Sequence, residues 1–175
     1  MLSGAVRRLA EDGWRVSALS RRAAAFSVEL NGTISGFDCD YHDPAAFRAA
    51  LDAACREAGP MTLGVAWFHT LKIAAPRLLA ERIGTPEQPG RLFQVLGSGV
   101  ADPSRPDRLE MAAAVAANLP ACRLRQVVLG FQVEPGGSRW LTHDEISGGV
   151  LNAIAEDLEF SVIGRTNPWA ARPAG

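Results

Sequence analysis

One lysine, Lys72, and one tyrosine, Tyr41, stand in a chain of 175 residues. Any chemistry that needs an amine must therefore use Lys72, and any that needs a phenol must use Tyr41. Cysteine is also scarce. Cys39, Cys55 and Cys122 are odd in number, widely spaced and without a C-x-x-C pair, which argues against a disulfide framework or a zinc site. They read as small buried or half-buried side chains. No apolar run approaches the roughly 20 residues of a membrane span. The start, Met1-Leu2-Ser3-Gly4, lacks the charged and apolar regions of a secretion signal. The expectation is a cytoplasmic protein without a membrane partner. A net charge of −1 offers nothing to attract nucleic acid. There is no Gly-x-Ser-x-Gly elbow, and His69, Asp38 and Asp40 lack metal-ligand spacing, so no metal site is expected.

What remains is an ordinary globular composition, 47% hydrophobic and 21% charged. The length suits one domain, read as residues 1–164, with a loose Pro-rich tail over 165–175. Residues 2–11 read as an amphipathic helix stopped at Gly13, and 14–19 as a strand. Strand-like segments over 26–30 and 33–39 flank the turn signal Asn31-Gly32. Asp43 caps a helix that opens on Pro44 and ends near Ala58. Residues 61–67 form a mostly apolar strand, 70–83 a helix interrupted or restarted by Pro76, and 91–96 another buried strand. A loop over 102–107 leads into an alanine-rich helix, 109–117. Residues 124–133 then read as one strand. Thr142 and Glu145 form a capping box for a helix running to about Asp157, and 160–164 a last strand. Strands alternating with helices of this length predict an α/β fold: a doubly wound, mostly parallel, Rossmann-like sheet in three α/β/α layers.

Three stretches, in order, resemble the short-chain dehydrogenase/reductase family: Met1-Leu2-Ser3-Gly4 entering a helix, Cys39-Asp40-Tyr41-His42-Asp43-Pro44 after a strand, and Leu96-Gly97-Ser98 ending one. The resemblance implies that Ser3 and Gly4 are the tail of the glycine-rich turn that holds the cofactor pyrophosphate at the helix N-terminus. It implies adenine contacts at Asp40 and Tyr41, and a substrate-carbonyl contact at Ser98. The family's N-N-A-G stretch is matched here only by Ala66, with Trp67 and His69 in place of small residues. The first strand and leading glycines of the turn would lie before Met1. An upstream strand is the expectation, because a sheet without its central strand leaves ladder groups unpaired.

Arg21 and Arg22 follow the second strand of that pattern, where an acid would hold the ribose of NAD. Guanidinium instead suits the 2′-phosphate of NADP, so NADP is the expected cofactor and NAD the second choice. The family's catalytic Tyr-x-x-x-Lys is absent: Tyr41 is followed four places on by Ala45, and Lys72 preceded by Phe68. Ser98 and His69 are the substitute catalytic candidates. Three readings stay open: a non-catalytic nucleotide-binding protein, an NADP-dependent oxidoreductase with unorthodox acid–base residues, and a partner-binding module without nucleotide. A homo-oligomer is compatible with all three.

Overall fold

The computed structural model describes residues 1–27, 33–69 and 74–174. The turn signal Asn31-Gly32 and the lone lysine, Lys72, fall outside these residues. The elements in chain order are α1 (Ser3–Glu11), β1 (Val16–Ser20), α2 (Ala24–Ser27), β2 (Ile34–Asp38), α3 (Pro44–Ala58), β3 (Leu63–Trp67), α4 (Ala74–Ala80) and β4 (Gly90–Leu96). Then come α5 (Asp107–Ala113), β5 (Cys122–Leu129), β6 (Phe131–Glu134), β7 (Gly137–Trp140), α6 (His143–Ala155) and β8 (Phe160–Ile163).

The two best-capped helices begin where local chemistry supplies the first acceptor. Asp43 accepts from the amides of Ala45 and Ala46 at the head of α3, and Pro44 follows at the first helical position. Thr142 accepts from the Glu145 amide while the Glu145 carboxylate accepts from the Thr142 amide, so the expected capping box opens α6.

Four parallel strands stand in the order β3-β4-β5-β8, and β1 and β2 form a separate parallel pair. Side chains alternate across the larger sheet, as a pleated strand requires. Ala66, Leu92 and Cys122 meet Phe47 and Leu51 of α3 and Leu78 and Leu79 of α4 on one face. Phe93, Val95, Val127 and Leu129 meet Ile146, Val150 and Ile154 of α6 on the other. The same helix layers hold the smaller sheet: Leu19 of β1 joins the first cluster, and Leu9 of α1 joins the second. The result is the expected three-layer, Rossmann-like α/β arrangement. Among the described residues β1 pairs only with β2 and β3 only with β4. Accordingly β3 is only partly buried, while β4 is buried along nearly its whole length.

Several expectations change. The strand expected over 26–30 begins as helix, because α2 runs through Ser27 with the Asp38 carboxylate accepting from the Ala24 amide; residues 28–32 lie outside the described residues. Pro76 is the third described residue of α4, and the earlier part of the helix expected from Thr70 lies outside the described residues. The single strand expected over 124–133 is two. The Gly130 amide donates to Ile163 and the Phe131 amide to Arg165, so the chain leaves the parallel sheet there and turns back as the β6–β7 hairpin around Gly136. The helix expected over 109–117 starts earlier, at Asp107, and finishes as a 3₁₀ turn.

The segment beyond β8, expected to be loose, is tied down. Phe131 and Arg165 exchange both backbone hydrogen bonds. The Arg172 guanidinium lies 4.6 Å from the Trp169 ring and 6.0 Å from the Trp140 ring. Its anchors are two tryptophans and one arginine, and the Trp140 ring belongs to β7.

The cap of α6 carries a pH signature. Arg139, bonded to Glu145 at 2.8 and 3.0 Å, and then the Thr142 amide hold the Glu145 carboxyl down to about 2. A depressed folded pKa stabilises the fold above the ordinary value near 4.5, and that contribution is lost as pH falls toward about 2. The melting temperature of the native chain should therefore drop through this window. Glu145→Gln should be less stable at neutral pH and should show a flatter decline, measurable by thermal melts from about pH 6 to about pH 2.

Candidate functional site

A cavity of about 280 Å³ opens at the carboxyl edge of the larger sheet. Ends of three parallel strands build it: Trp67 of β3, Gly97 and Ser98 just after β4, and Leu129 and Gly130 at the end of β5. The hairpin and α6 close it with Trp140, Leu141, His143 and Ile146, and Met1 completes the wall. This is where an open α/β sheet places ligands, because the strand ends and the helix N-termini converge there. Among the described residues no Asp, Glu, Lys or Arg side chain lines it.

Two features set its shape. Gly97 lies against Trp67, where a methyl would stand 3.4 Å from the indole in ordinary van der Waals contact. The Trp67 indole N–H donates to His69 Nε2 at 2.6 Å. In that bond His69 Nε2 is the acceptor, which turns the imidazole toward the back of the indole.

Of the residues the sequence nominated, Ser98 faces the cavity. His69 does not line it and meets it only through Trp67. Tyr41 is drawn to the same end, its hydroxyl accepting from the His69 amide at 3.4 Å and its ring edge-on to Phe68. Asp40 is exposed, and one carboxylate oxygen accepts from the His42 amide in a local turn. The Ala66 side chain is buried in the core under α3 and α4, leaving only its backbone for a ligand. Ser3 opens α1 without a capping side chain. Gly4 packs against α6: a methyl on it would approach Ser147 Oγ to 2.9 Å, and that hydroxyl donates to the Met1 carbonyl. Arg21 and Arg22 are exposed in the turn after β1, and among the described residues neither guanidinium has a protein partner.

The residues missed by sequence reasoning are Trp140 and His143. The capping box was a usable signal for His143, since it fixes this residue in the first turn of α6, at the sheet's carboxyl edge. Trp140 had no such signal, because the strand read over 124–133 stopped short of it and residues 137–140 were given no element.

No family model matches the chain, and no curated protein matches it. Solved structures do. A short-chain dehydrogenase/reductase from Serratia marcescens is 18% identical with a TM-score of 0.62, the match covering 91% of this chain and 88% of that one. A serine dehydrogenase from Escherichia coli is 13% identical at TM-score 0.63, covering 93% and 90%. A blue fluorescent protein from a metagenomic library, in complex with NADPH, is 19% identical at TM-score 0.68, covering 93% and 91%. The chain has the Rossmann-like fold of the short-chain dehydrogenases.

Ser98 stands just after β4 and on the cavity. The Tyr-x-x-x-Lys pair does not exist in this sequence at all. Gly4 serves contact between helices instead of leaving open space over the N-terminus of α1.

Proposed function

We propose that the chain is a nucleotide-binding protein of the short-chain dehydrogenase type, cytoplasmic, that prefers NADP to NAD and lacks the family's acid–base chemistry. Residues 1–164 would form the binding unit. The observation that carries the reading is the pair Arg21 and Arg22, exposed beyond β1 with no acid in their own turn and no protein partner among the described residues, while the Asp38 carboxylate at the end of the paired strand β2 accepts from the Ala24 amide. Two free guanidinium groups match a phosphate monoester and give nothing to a ribose diol that a carboxylate would hold. The structural neighbour in complex with NADPH supports the same cofactor class.

The fit is uneven along the nucleotide. Arg21 and Arg22 would hold the 2′-phosphate, and the Asp40–Tyr41 turn would lie at the adenine. The pyrophosphate would have the first turn of α1, from Ser3, without an open glycine cradle. NADPH supplies a hydride when bound. The chain's own polar side chains at the cavity are the Ser98 hydroxyl and the His143 imidazole, and the Nε2 lone pair of His69 is already committed to Trp67. The family's Tyr-x-x-x-Lys pair has no counterpart in that set, which favours binding over the family's proton transfer.

The test is a thermal melt with NADPH, with NADH and without nucleotide. Nucleotide at about 100 times its dissociation constant adds about 2.7 kcal/mol to the folded state. NADPH should raise the melting temperature more than NADH, and Arg21→Ala with Arg22→Ala should erase the difference. Equal shifts by both cofactors would end the NADP preference. No shift with either would leave a module that binds no nucleotide.

A further inference from the structure

We infer that the segment beyond β8 is a strap that controls access to the cavity, latched by Arg172 between Trp140 on one rim and Asp102 behind the other. The first rim is the β6–β7 hairpin, whose Trp140 stands in the cavity wall. The second is the turn after β4. Gly97 and Ser98 line the cavity there, Ser98–Ala101 make one 3₁₀ turn, and Asp102 follows directly. The segment reaches toward both. It leaves the sheet at Arg165, whose backbone exchanges two hydrogen bonds with Phe131 at the base of the hairpin. Further on, the Arg172 guanidinium lies over the rings of Trp169 and Trp140. The same positive charge acts on Asp102. The hydroxyl and amide of Ser104 hold that carboxyl below its ordinary value, and the fields of Arg108 and then Arg172 add to the effect.

Arginine suits both partners at once. Its planar face stacks on an indole while its edge keeps N–H groups for a carboxylate. The clasp is also weak enough to open. Arg172 is exposed and Trp140 is 41% exposed. A cation–ring contact at such a site shifts an equilibrium by only about two- to fivefold. Elsewhere the segment sits loosely, because a groove of about 560 Å³ lies between Ala170–Ala174 and the hairpin turn at Glu134, Gly137 and Ser138. With the strap latched, the Trp140 ring is backed from outside and the two rims are drawn together. With it released, the hairpin rim loses that support, and solutes reach Ser98 and His143 more freely. Arg21 and Arg22 do not line this cavity, so the strap stands or falls separately from nucleotide binding.

The experiment measures paramagnetic broadening by the neutral nitroxide TEMPOL at the His143 imidazole and Trp67 indole signals of the full chain, without nucleotide. Both side chains line the cavity, so the broadening reports entry of a small solute. Trp14, just before β1 and outside the cavity, is the reference. Arg172→Ala should raise the broadening about two- to fivefold, the size of one exposed cation–ring contact. Asp102→Asn keeps an oxygen for the Ser104 bonds but loses the charge. It should raise the broadening at about 10 mM salt and leave it unchanged at about 1 M, where screening acts within about 3 Å. In the double variant the two effects should not add, because each opens the same latch. An arginine with a merely structural role would give the first change without the salt dependence or the coupling. If Arg172→Ala fails to fold, Arg172→Lys serves instead: it keeps the charge, loses the planar stack and should raise the broadening about twofold. Unchanged broadening on substitution of Arg172, additive effects in the double variant, or an equal rise at Trp14 overturns the inference. Nucleotide is absent from every arm, so this reading and the proposed function fail independently.

Discussion

Phe93→Ala should lower the stability of the chain by about 3–5 kcal/mol. Phe93 is fully buried in the middle of β4, paired in register with Val65 of β3 and Arg125 of β5. It packs in the cluster that joins the sheet to α6, beside Val95, Val127 and Val150. Removing the ring deletes its transfer free energy and leaves a void that rigid strands on either side cannot close. In a protein of this size each kcal/mol moves the melting temperature by about 2–4 °C, so a shift of roughly 10 °C is expected by calorimetry. A shift under about 3 °C would mean that the α6 layer is not packed as described. The substitution also tests a second role of that layer, since α6 both covers the sheet and carries His143 to the cavity. A shift of the His143 imidazole NMR signals together with the loss of stability would show that the cavity wall depends on this packing.

Gly84→Ala is the second large effect, expected at roughly 2–5 kcal/mol. Gly84 has φ +74°, a region that an alanine enters only with strain. Its amide donates to the Met61 carbonyl at 2.7 Å. A methyl on it would be driven into the Gly90 amide and the Ala121 carbonyl, which bond to one another where β4 and β5 begin to pair. Both obstacles are backbone, so no side chain can turn aside to relieve the clash. The loss is read by chemical denaturation, with the midpoint moving and the slope unchanged if only the folded state is affected. A variant as stable as the native chain would show that the turn before β4 is not built this way.

These two positions also divide what could be read early from what could not. The residue pattern found β3, β4, α3 and α6 with their boundaries nearly intact, because each is announced by its own residues: an apolar run of strand length, an Asp-Pro start, a capping box. It also led to the correct fold class, since alternating strands and helices leave few other arrangements. Phe93 could be recognised as core from that run alone. Gly84 could not be recognised as a required glycine, because its requirement comes from the backbone of Gly90 and Ala121, which only the folded chain brings against it.

The candidate site divides in the same way. The position of Ser98 was legible because it follows a buried strand, at the carboxyl edge of the sheet where the cavity opens. Ala66 was correctly placed on its strand, but alternation turns its side chain into the core rather than to a ligand. Gly4 was read as a phosphate-turn glycine, and its close neighbour proved to be Ser147, near the other end of the chain. The break at Gly130 was invisible in a run of strand-forming residues. It exists because Ile163 and Arg165 supply the hydrogen-bonding partners that bend the chain into a hairpin.

By itself, then, the order of amino acids determined most of the secondary elements, the layered α/β class, the lack of a Tyr-x-x-x-Lys pair and the acid-free pair of arginines after β1. These are local or compositional facts, set by propensity, periodicity and capping within a few residues. Tertiary structure alone decided that Trp67, Ser98, Trp140 and His143 share one cavity, that the segment beyond β8 braces one of its walls, and that His69 stands behind an indole. Those outcomes depend on strand order and on side chains meeting across long stretches of sequence, and no local rule carries information over that distance.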